Sequence, residues 1–224
     1  MDVDYPACAY GSPSAARTVV LFGDSHAGNW FEPLDRAAKA DGWRLLVRIK
    51  ASCRPIDAEQ IVAEGGHERP YTECKAWREV VLAEIDRLAP DLIVVAGTGH
   101  AFPVDAERRV LARLAAAAQR VVIMRDTVWF PQEAVACLRK TGDPARCEWP
   151  LADTLPPNDF PRTPQTDLPP RARVLDLRHR ICPDGRCRAV LDGRIVMFDS
   201  HHLTASFSRM LTGDFRAVLS DVGR

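Results

Sequence analysis

The chain has 224 residues, 46% hydrophobic and 27% charged, with 30 basic side chains matched by 30 acidic ones. That is enough length for one full α/β core, and a formal net charge of zero offers no basic surplus for nucleic acid or an anionic membrane surface. No apolar run reaches the roughly 18–20 residues of a membrane helix, and the N-terminus lacks the basic-then-apolar form of a signal peptide.

Taken in order, "RTVVLFG" is a short apolar run closed by glycine, the form of a buried parallel strand. From Trp30 to Ala40 apolar residues recur at helical spacing, and Asp41-Gly42 stops the helix. "WRLLVRI" reads as a second strand. "PYTECKAWREVVLAEIDRLAP" is the clearest helix, opening near Pro70 and stopped at Pro90, with Trp77, Val80, Val81, Ile85 and Leu88 on one face. "DLIVVAG" follows as a third strand, Val104–Gln119 as an Ala-rich helix and "RVVIM" as a fourth strand.

Beyond that the pattern loosens. "PQEAVACLRKTGDPARC" reads as a short helix and turn, and Leu155 to Pro170 is too proline-rich for regular structure, so it reads as a long surface excursion. "ARVLDL" is a candidate fifth strand, and "RAVLDGRIVMF" carries Asp-Gly between apolar residues, a hairpin signal. A last helix runs from about Leu203 to Leu219. Strands alternating with helices through short connections predict one three-layer α/β/α domain on a mainly parallel sheet. Residues 1–17 read as an extension from an upstream linker, and 18–224 as a single domain with the proline-rich excursion near 150–171.

Six of the seven cysteines fall into neighbouring pairs: Cys53 with Cys74, Cys137 with Cys147, and Cys182 with Cys187. "ICPDGRC" sets two of them around a Pro-Asp-Gly turn that brings their Cα atoms within disulfide reach. Disulfides rank ahead of reduced core thiols. A zinc knuckle ranks last, because no second Cys/His pair of similar spacing accompanies this one. Disulfides imply an oxidising compartment. With no export signal present, the expectation is an extracytoplasmic domain whose leader or membrane part lies upstream, and Cys8 pairs with something there.

In a doubly wound sheet, ligands bind beyond the carboxyl ends of the strands. Polar groups stand there in "GDSH" after the first strand, "KASC" after the second, "GTGH" after the third, and "FDSHHLT" before the last helix. Ser25 falls on the first turn of a helix, where unpaired backbone N–H groups stabilise a developing oxyanion. A serine hydroxyl needs a base to take its proton, and Asp199 and His202, three residues apart, supply a carboxylate that orients an imidazole. The plainer reading makes Asp24 or Ser25, and Asp199 or Ser200, simple helix caps. Both segments fall at strand ends on the same side of the sheet, which favours the catalytic reading. His201 is out of phase with Asp199 and ranks below His202. His67, His100 and His179 read as loop or surface residues, with His100 kept in reserve for its place near the mouth.

These residues resemble the SGNH (GDSL-like) hydrolases, most closely the SGNH domains fused behind multi-span membrane acyltransferases that O-acylate bacterial surface glycans. The likeness rests on Gly23-Asp24-Ser25-His26-Ala27, Cys53-Arg54-Pro55, Tyr71-Thr72-Glu73-Cys74 and Asp199 through Thr204. It implies a flavodoxin-like five-stranded sheet, with Ser25 as nucleophile, His202 as general base and Asp199 as its orienting partner. The resemblance also implies a glycan acceptor, an acyl donor delivered by a membrane domain of the same full-length protein, and no cofactor or metal. The family's usual oxyanion donors are a Gly after the second strand and an Asn after the third. This chain has Ala51-Ser52 and Gly97-Thr98-Gly99 there, so the oxyanion is expected to rest on Ser25, Ser52 and Thr98. Asp24, His26, Gly97, Gly99, His100 and His201 are held in reserve as substrate-binding residues. A carbohydrate O-acetylesterase and a non-catalytic glycan-binding module are the alternatives. A metal-dependent phosphoesterase is disfavoured, because nothing before Gly23 supplies the Asp-x-His such a site needs.

Overall fold

The computed structural model describes residues 9–99 and 102–222. The chain runs β1 (Ala9–Gly11), β2 (Thr18–Gly23), α1 (Ser25–Gly28), α2 (Phe31–Asp41), β3 (Arg44–Ile49), β4 (Ile61–Glu64), β5 (His67–Pro70) and α3 (Thr72–Leu88). It continues through β6 (Leu92–Ala96), α4 (Val104–Ala117), β7 (Arg120–Met124), α5 (Ala134–Thr141), β8 (Glu148–Pro150), β9 (Ala172–Leu175) and α6 (Arg178–Ile181). After β10 (Arg186–Arg188), β11 (Val190–Leu191) and β12 (Arg194–Ile195) come α7 (Ala205–Ser208) and α8 (Thr212–Ser220).

The main sheet has the order β1-β3-β2-β6-β7-β9. β2, β3, β6, β7 and β9 are parallel, and β1 adds an antiparallel edge on β3. Counting only the parallel strands, the spatial order is 2-1-3-4-5, the flavodoxin-like arrangement. Its direction reverses between the first and third of them, here β2 and β6. In such sheets ligands bind at that switch point, and here the Gly23 and Ala96 ends of the two strands lie side by side in register.

The strands read as continuous apolar runs because both faces are covered. In β2, Val19 and Leu21 point into a cluster with Leu34 of α2 and Phe215 of α8. Val20 and Phe22 point the other way, against Trp77, Val81 and Ile85 of α3 and Leu111 of α4. The same alternation divides Val94 from Val95 and Val122 from Ile123. On α3, Trp77, Val81 and Ile85 are buried as the periodicity predicts, but Val80 is 48% exposed. The stripe is centred on Cys74, Trp77, Arg78, Val81, Leu82 and Ile85 instead.

The segment between β8 and β9 is less superficial than its proline content suggests. Only a short turn, Gln165–Asp167, is regular in its middle, yet Phe160 and Thr163 are buried. The Glu107 carboxylate accepts from the backbone N–H groups of Arg162 and Thr163 and from the Thr163 hydroxyl, which supplies the partners the missing ladder would have given. The β4–β5 hairpin (Ile61↔Pro70 to Glu64↔His67) and the β1 edge carry no strong apolar alternation, and the sequence pattern does not mark them.

Three disulfides join Cys53 to Cys74, Cys137 to Cys147 and Cys182 to Cys187. The first ties the loop after β3 to the first turn of α3 across a sequence separation of 21. Closing a loop of that length restricts the unfolded chain by about 3 kcal/mol. Replacing both Cys53 and Cys74 by serine is expected to lower the unfolding free energy by about that amount in urea titrations, against about 2 kcal/mol for the Cys182–Cys187 pair with its shorter loop.

Candidate active site

The turn from β2 into α1 is shaped by glycine and aspartate. Gly23 has φ 151°, and a Cβ there would fall 1.8 Å from the Ala96 carbonyl oxygen, so only glycine lets the two strand ends approach. Asp24 is the N-cap of α1, and its Oδ1 accepts from the His26 backbone N–H at 2.9 Å. This places Ser25 as the first helical residue, half-buried, with its own N–H among those that a helix leaves without an intrahelical acceptor.

The second contribution comes from the loop between β12 and α7. A bridge between Met197 and Leu203 and a 2.7 Å bond from the Phe198 N–H to the His202 carbonyl close this loop. Within it the Asp199 Oδ1 accepts from the N–H groups of both His201 and His202, each at 2.8 Å. Its Oδ2 lies 2.7 Å from His202 Nδ1, and His202 Nε2 lies 3.0 Å from Ser25 Oγ. The carboxylate is an acceptor, so Nδ1 carries the proton and Nε2 turns a lone pair to the serine hydroxyl. Burial alone would raise the Asp199 carboxyl, but the two backbone N–H groups and the His202 ring outweigh it and hold it at about 2.

The other residues singled out from the sequence take different places. Ser52 sits in an exposed turn after β3 with φ 57°, a left-handed conformation that favours glycine. The disulfide at Cys53 and the bond from the Tyr71 hydroxyl to the Ala51 carbonyl hold that turn. Thr98 gives both its N–H (2.8 Å) and its hydroxyl (2.5 Å) to Asp24 Oδ2. In this arrangement Thr98 anchors the capping aspartate and has no donor left for an oxyanion. Gly97 packs on Pro55, where a Cβ would meet the proline ring at 2.7 Å. The Gly99 N–H donates to Asp126 Oδ2 at 2.9 Å. His100 lies outside the described residues, as does Cys8.

His26 is not at the mouth but beneath it, 1% exposed. Its Nδ1 is 2.5 Å from Asp126 Oδ1 and its Nε2 is 2.8 Å from His201 Nδ1. Burial lowers the His26 pKa, and the bond to Asp126 and the surrounding carboxylates more than reverse that, so the net shift is upward. His201 is shifted downward, by burial first and then by His26 and His202. Sequence reasoning passed over Asp126, Trp129 and Asn29. Asp126 stands just past the end of β7, on the side where the other polar strand ends gather, and that position was the available signal. Trp129 stacks on His201 with ring centroids 4.9 Å apart and donates its Nε1–H to Asp126 at 3.3 Å. The Asn29 Oδ1 accepts from the Leu203 N–H at 2.9 Å and binds the histidine loop to the serine helix.

His26, His201 and His202 each place a ring nitrogen within 4.8 Å of the others, so together they offer a ligand set for one metal ion. Their nitrogens are already paired with Asp126, with one another, with Asp199 and with Ser25. Coordination by all three would break the His26–His201 bond.

An α/β/α sandwich with a serine, a histidine and an aspartate converging at its switch point has the architecture of an SGNH domain. The chain belongs to the family of SGNH domains fused to AT3 domains, whose model matches residues 2–217. Among solved structures, the periplasmic domain of the lipopolysaccharide acetyltransferase of Salmonella ser. Paratyphi A has a similar fold. The TM-score is 0.66 at 14% identity, covering 94% of this chain and 87% of that one. No curated protein sequence matches it. Among the described residues, no helix is long and apolar enough to cross a membrane.

Thr98→Val removes one charge-assisted bond to a buried carboxylate, and the expected cost is about 1.5–3 kcal/mol of stability in urea unfolding. The turnover of correctly folded protein should fall far less than the roughly 100-fold that loss of an oxyanion donor brings. The Asp199 carboxyl is depressed from about 3.9 when unfolded to about 2 when folded. Its contribution to stability is therefore present above the unfolded value and lost as pH falls through the folded one. The stability gap between wild type and Asp199→Asn should narrow as urea titrations move from about pH 6 to about pH 3.

Proposed function

We propose that this domain transfers an acyl group through a covalent acyl-serine on Ser25. The reading rests chiefly on the unbroken chain from Ser25 Oγ to His202 to Asp199, with links of 3.0 and 2.7 Å. His202 Nε2 takes the hydroxyl proton as Oγ bonds to the acyl carbon, and the resulting imidazolium is stabilised by Asp199. The oxyanion is held by the Ser25 N–H at the start of α1 and a backbone N–H of the Ser52 turn. The tetrahedral adduct collapses as His202 returns the proton to the departing group of the donor. An acceptor hydroxyl then gives its proton to His202, its oxygen bonds to the acyl carbon, and Ser25 leaves with that proton.

The acceptor in this proposal is a hydroxyl of a cell-envelope glycan and the group moved is acetyl or another short acyl. The domain works on the extracytoplasmic side, tethered through a membrane acyltransferase domain that delivers the donor. Three observations support that context. The family is defined by fusion to AT3 domains, the similar solved structure is a periplasmic domain of a lipopolysaccharide acetyltransferase, and three disulfides suit an oxidising compartment. When water reaches the acyl-enzyme in place of the sugar, the same residues make an O-acetylesterase.

The test is labelling by a serine-directed fluorophosphonate together with turnover of an aryl acetate. Ser25→Ala should abolish labelling and lower turnover on the order of 10⁶-fold. Asp199→Asn, which leaves the wrong imidazole tautomer, should lower it on the order of 10⁴-fold. Protein that is not labelled yet binds glycan would replace the enzyme with a binding module. Activity that a chelator abolishes and a divalent metal restores would replace the acyl-serine with a metal centre.

A further inference from the structure

Two buried ionisable groups take no part in the chain from Ser25 to Asp199. Asp126 and His26 are 3% and 1% exposed, yet both retain full polar pairing. Asp126 Oδ1 accepts from His26 Nδ1 and from the Thr127 N–H, and its Oδ2 from the Gly99 N–H and Trp129 Nε1–H. Four donors thus satisfy both of its oxygens. The Gly99 and Thr127 N–H groups give the Asp126 carboxylate a structural use, but that use does not call for a buried imidazole that carries the chain outward to His201.

The chain has a direction. It leads from the core through His26 to His201 Nδ1, and His201 is half-buried at the mouth beside His202, with ring centroids 4.3 Å apart. His201 cannot swing freely. Its N–H is bonded to Asp199, its carbonyl accepts from the Thr127 hydroxyl at 3.0 Å, and its ring is stacked on Trp129. Among the described residues its Nε2 has no protein partner.

We propose that the Asp126–His26–His201 chain fixes His201 Nε2 as the hydrogen-bonding contact for the acceptor hydroxyl, with Trp129 as the adjoining ring face against which the sugar packs. This deepens the acyl-transfer reading and rests on it. When His26 is neutral it accepts from His201 Nδ1–H, and His201 Nε2 is an acceptor. When His26 is charged it donates to His201 Nδ1, and Nε2–H is a donor. A hydroxyl both donates and accepts, so an alcohol pairs with either state, whereas a carboxylate or an ammonium group pairs with only one. Trp129 adds apolar area that water cannot use. His201 is thus a contact to the acceptor, and His26 and Asp126 are positioning residues that act through it.

The experiment follows the two half-reactions of the isolated 224-residue chain. Acyl-enzyme formation is read by the fluorophosphonate labelling rate and by the burst of p-nitrophenolate from p-nitrophenyl acetate. Its fate is read as the ratio of acetyl transferred to methyl glucoside over acetyl released to water. In His201→Ala, the transfer-to-hydrolysis ratio should fall about tenfold more than the labelling rate does, the worth of one hydrogen bond. Asp126→Asn should raise the KM for methyl glucoside more than it lowers kcat, and His201→Gln should recover part of the ratio. Equal losses in labelling and transfer, or an unchanged ratio in His201→Ala, would overturn the assignment. Wild type that labels but transfers to no alcohol would overturn it too, while leaving the acyl-serine standing. Wild type that does not label would instead remove the acyl-serine itself.

Discussion

The Asn29 side chain joins the two ends of this protein. Its Oδ1 accepts from the Leu203 N–H at 2.9 Å, and its backbone carbonyl accepts from the Ser208 hydroxyl at 2.5 Å. Asn29 caps the short helix that begins at Ser25, and Leu203 follows His202 directly. The hydroxyl and the imidazole come from positions 177 residues apart, and their 3.0 Å contact needs the elements that carry them to be held in fixed register. Apolar packing of α2 against α8 brings these segments together without direction, and the Asn29 bonds set their register.

Buried carboxylates do comparable work at the strand ends. Asp24 caps the helix that begins at Ser25 with one oxygen and gathers both Thr98 donors with the other, so β2 and β6 are tied where the sheet reverses. Asp126 ties the end of β7 to the Gly99 N–H and, through His26, to the same helix. Each leaves few backbone donors idle around the cleft, and the Ser25 N–H stands at a helix start with that rigid polar frame beneath it. The Ser52 turn after β3 takes a left-handed conformation that side chains adopt at a cost of order 1–3 kcal/mol, held by the Cys53–Cys74 disulfide next to it.

Much of the fold was legible because burial on both faces forces a simple pattern. The runs at 18–23, 44–49, 92–96, 120–124 and 172–175 are strands in the structure, and Asp192-Gly193 turns the β11–β12 hairpin. What escaped was structure that owes little to its own residues. β1 exists because the edge of β3 is there to pair with it, and Phe160 is buried because α4 offers Glu107 to satisfy the backbone beside it. Val80 shows the limit of a helical stripe read in isolation: the period was right, but the stripe was centred slightly off, and only contact with the sheet decides which side is covered.

The same division runs through the cleft. Residue chemistry and strand-end position single out Ser25, Asp199 and His202, because a polar cluster just past an apolar run is placed by the sheet itself. Sequence pattern also pairs the six cysteines, since each partner is near in the chain. The part taken by Asp126, the diversion of Thr98 from the oxyanion to Asp24, and the removal of His26 from the surface to the core were decided by the tertiary structure alone. Each depends on which of several equally available donors lies within 3 Å of a buried carboxylate, and that distance is set by the packing of segments far apart in the chain, not by any residue's own preference.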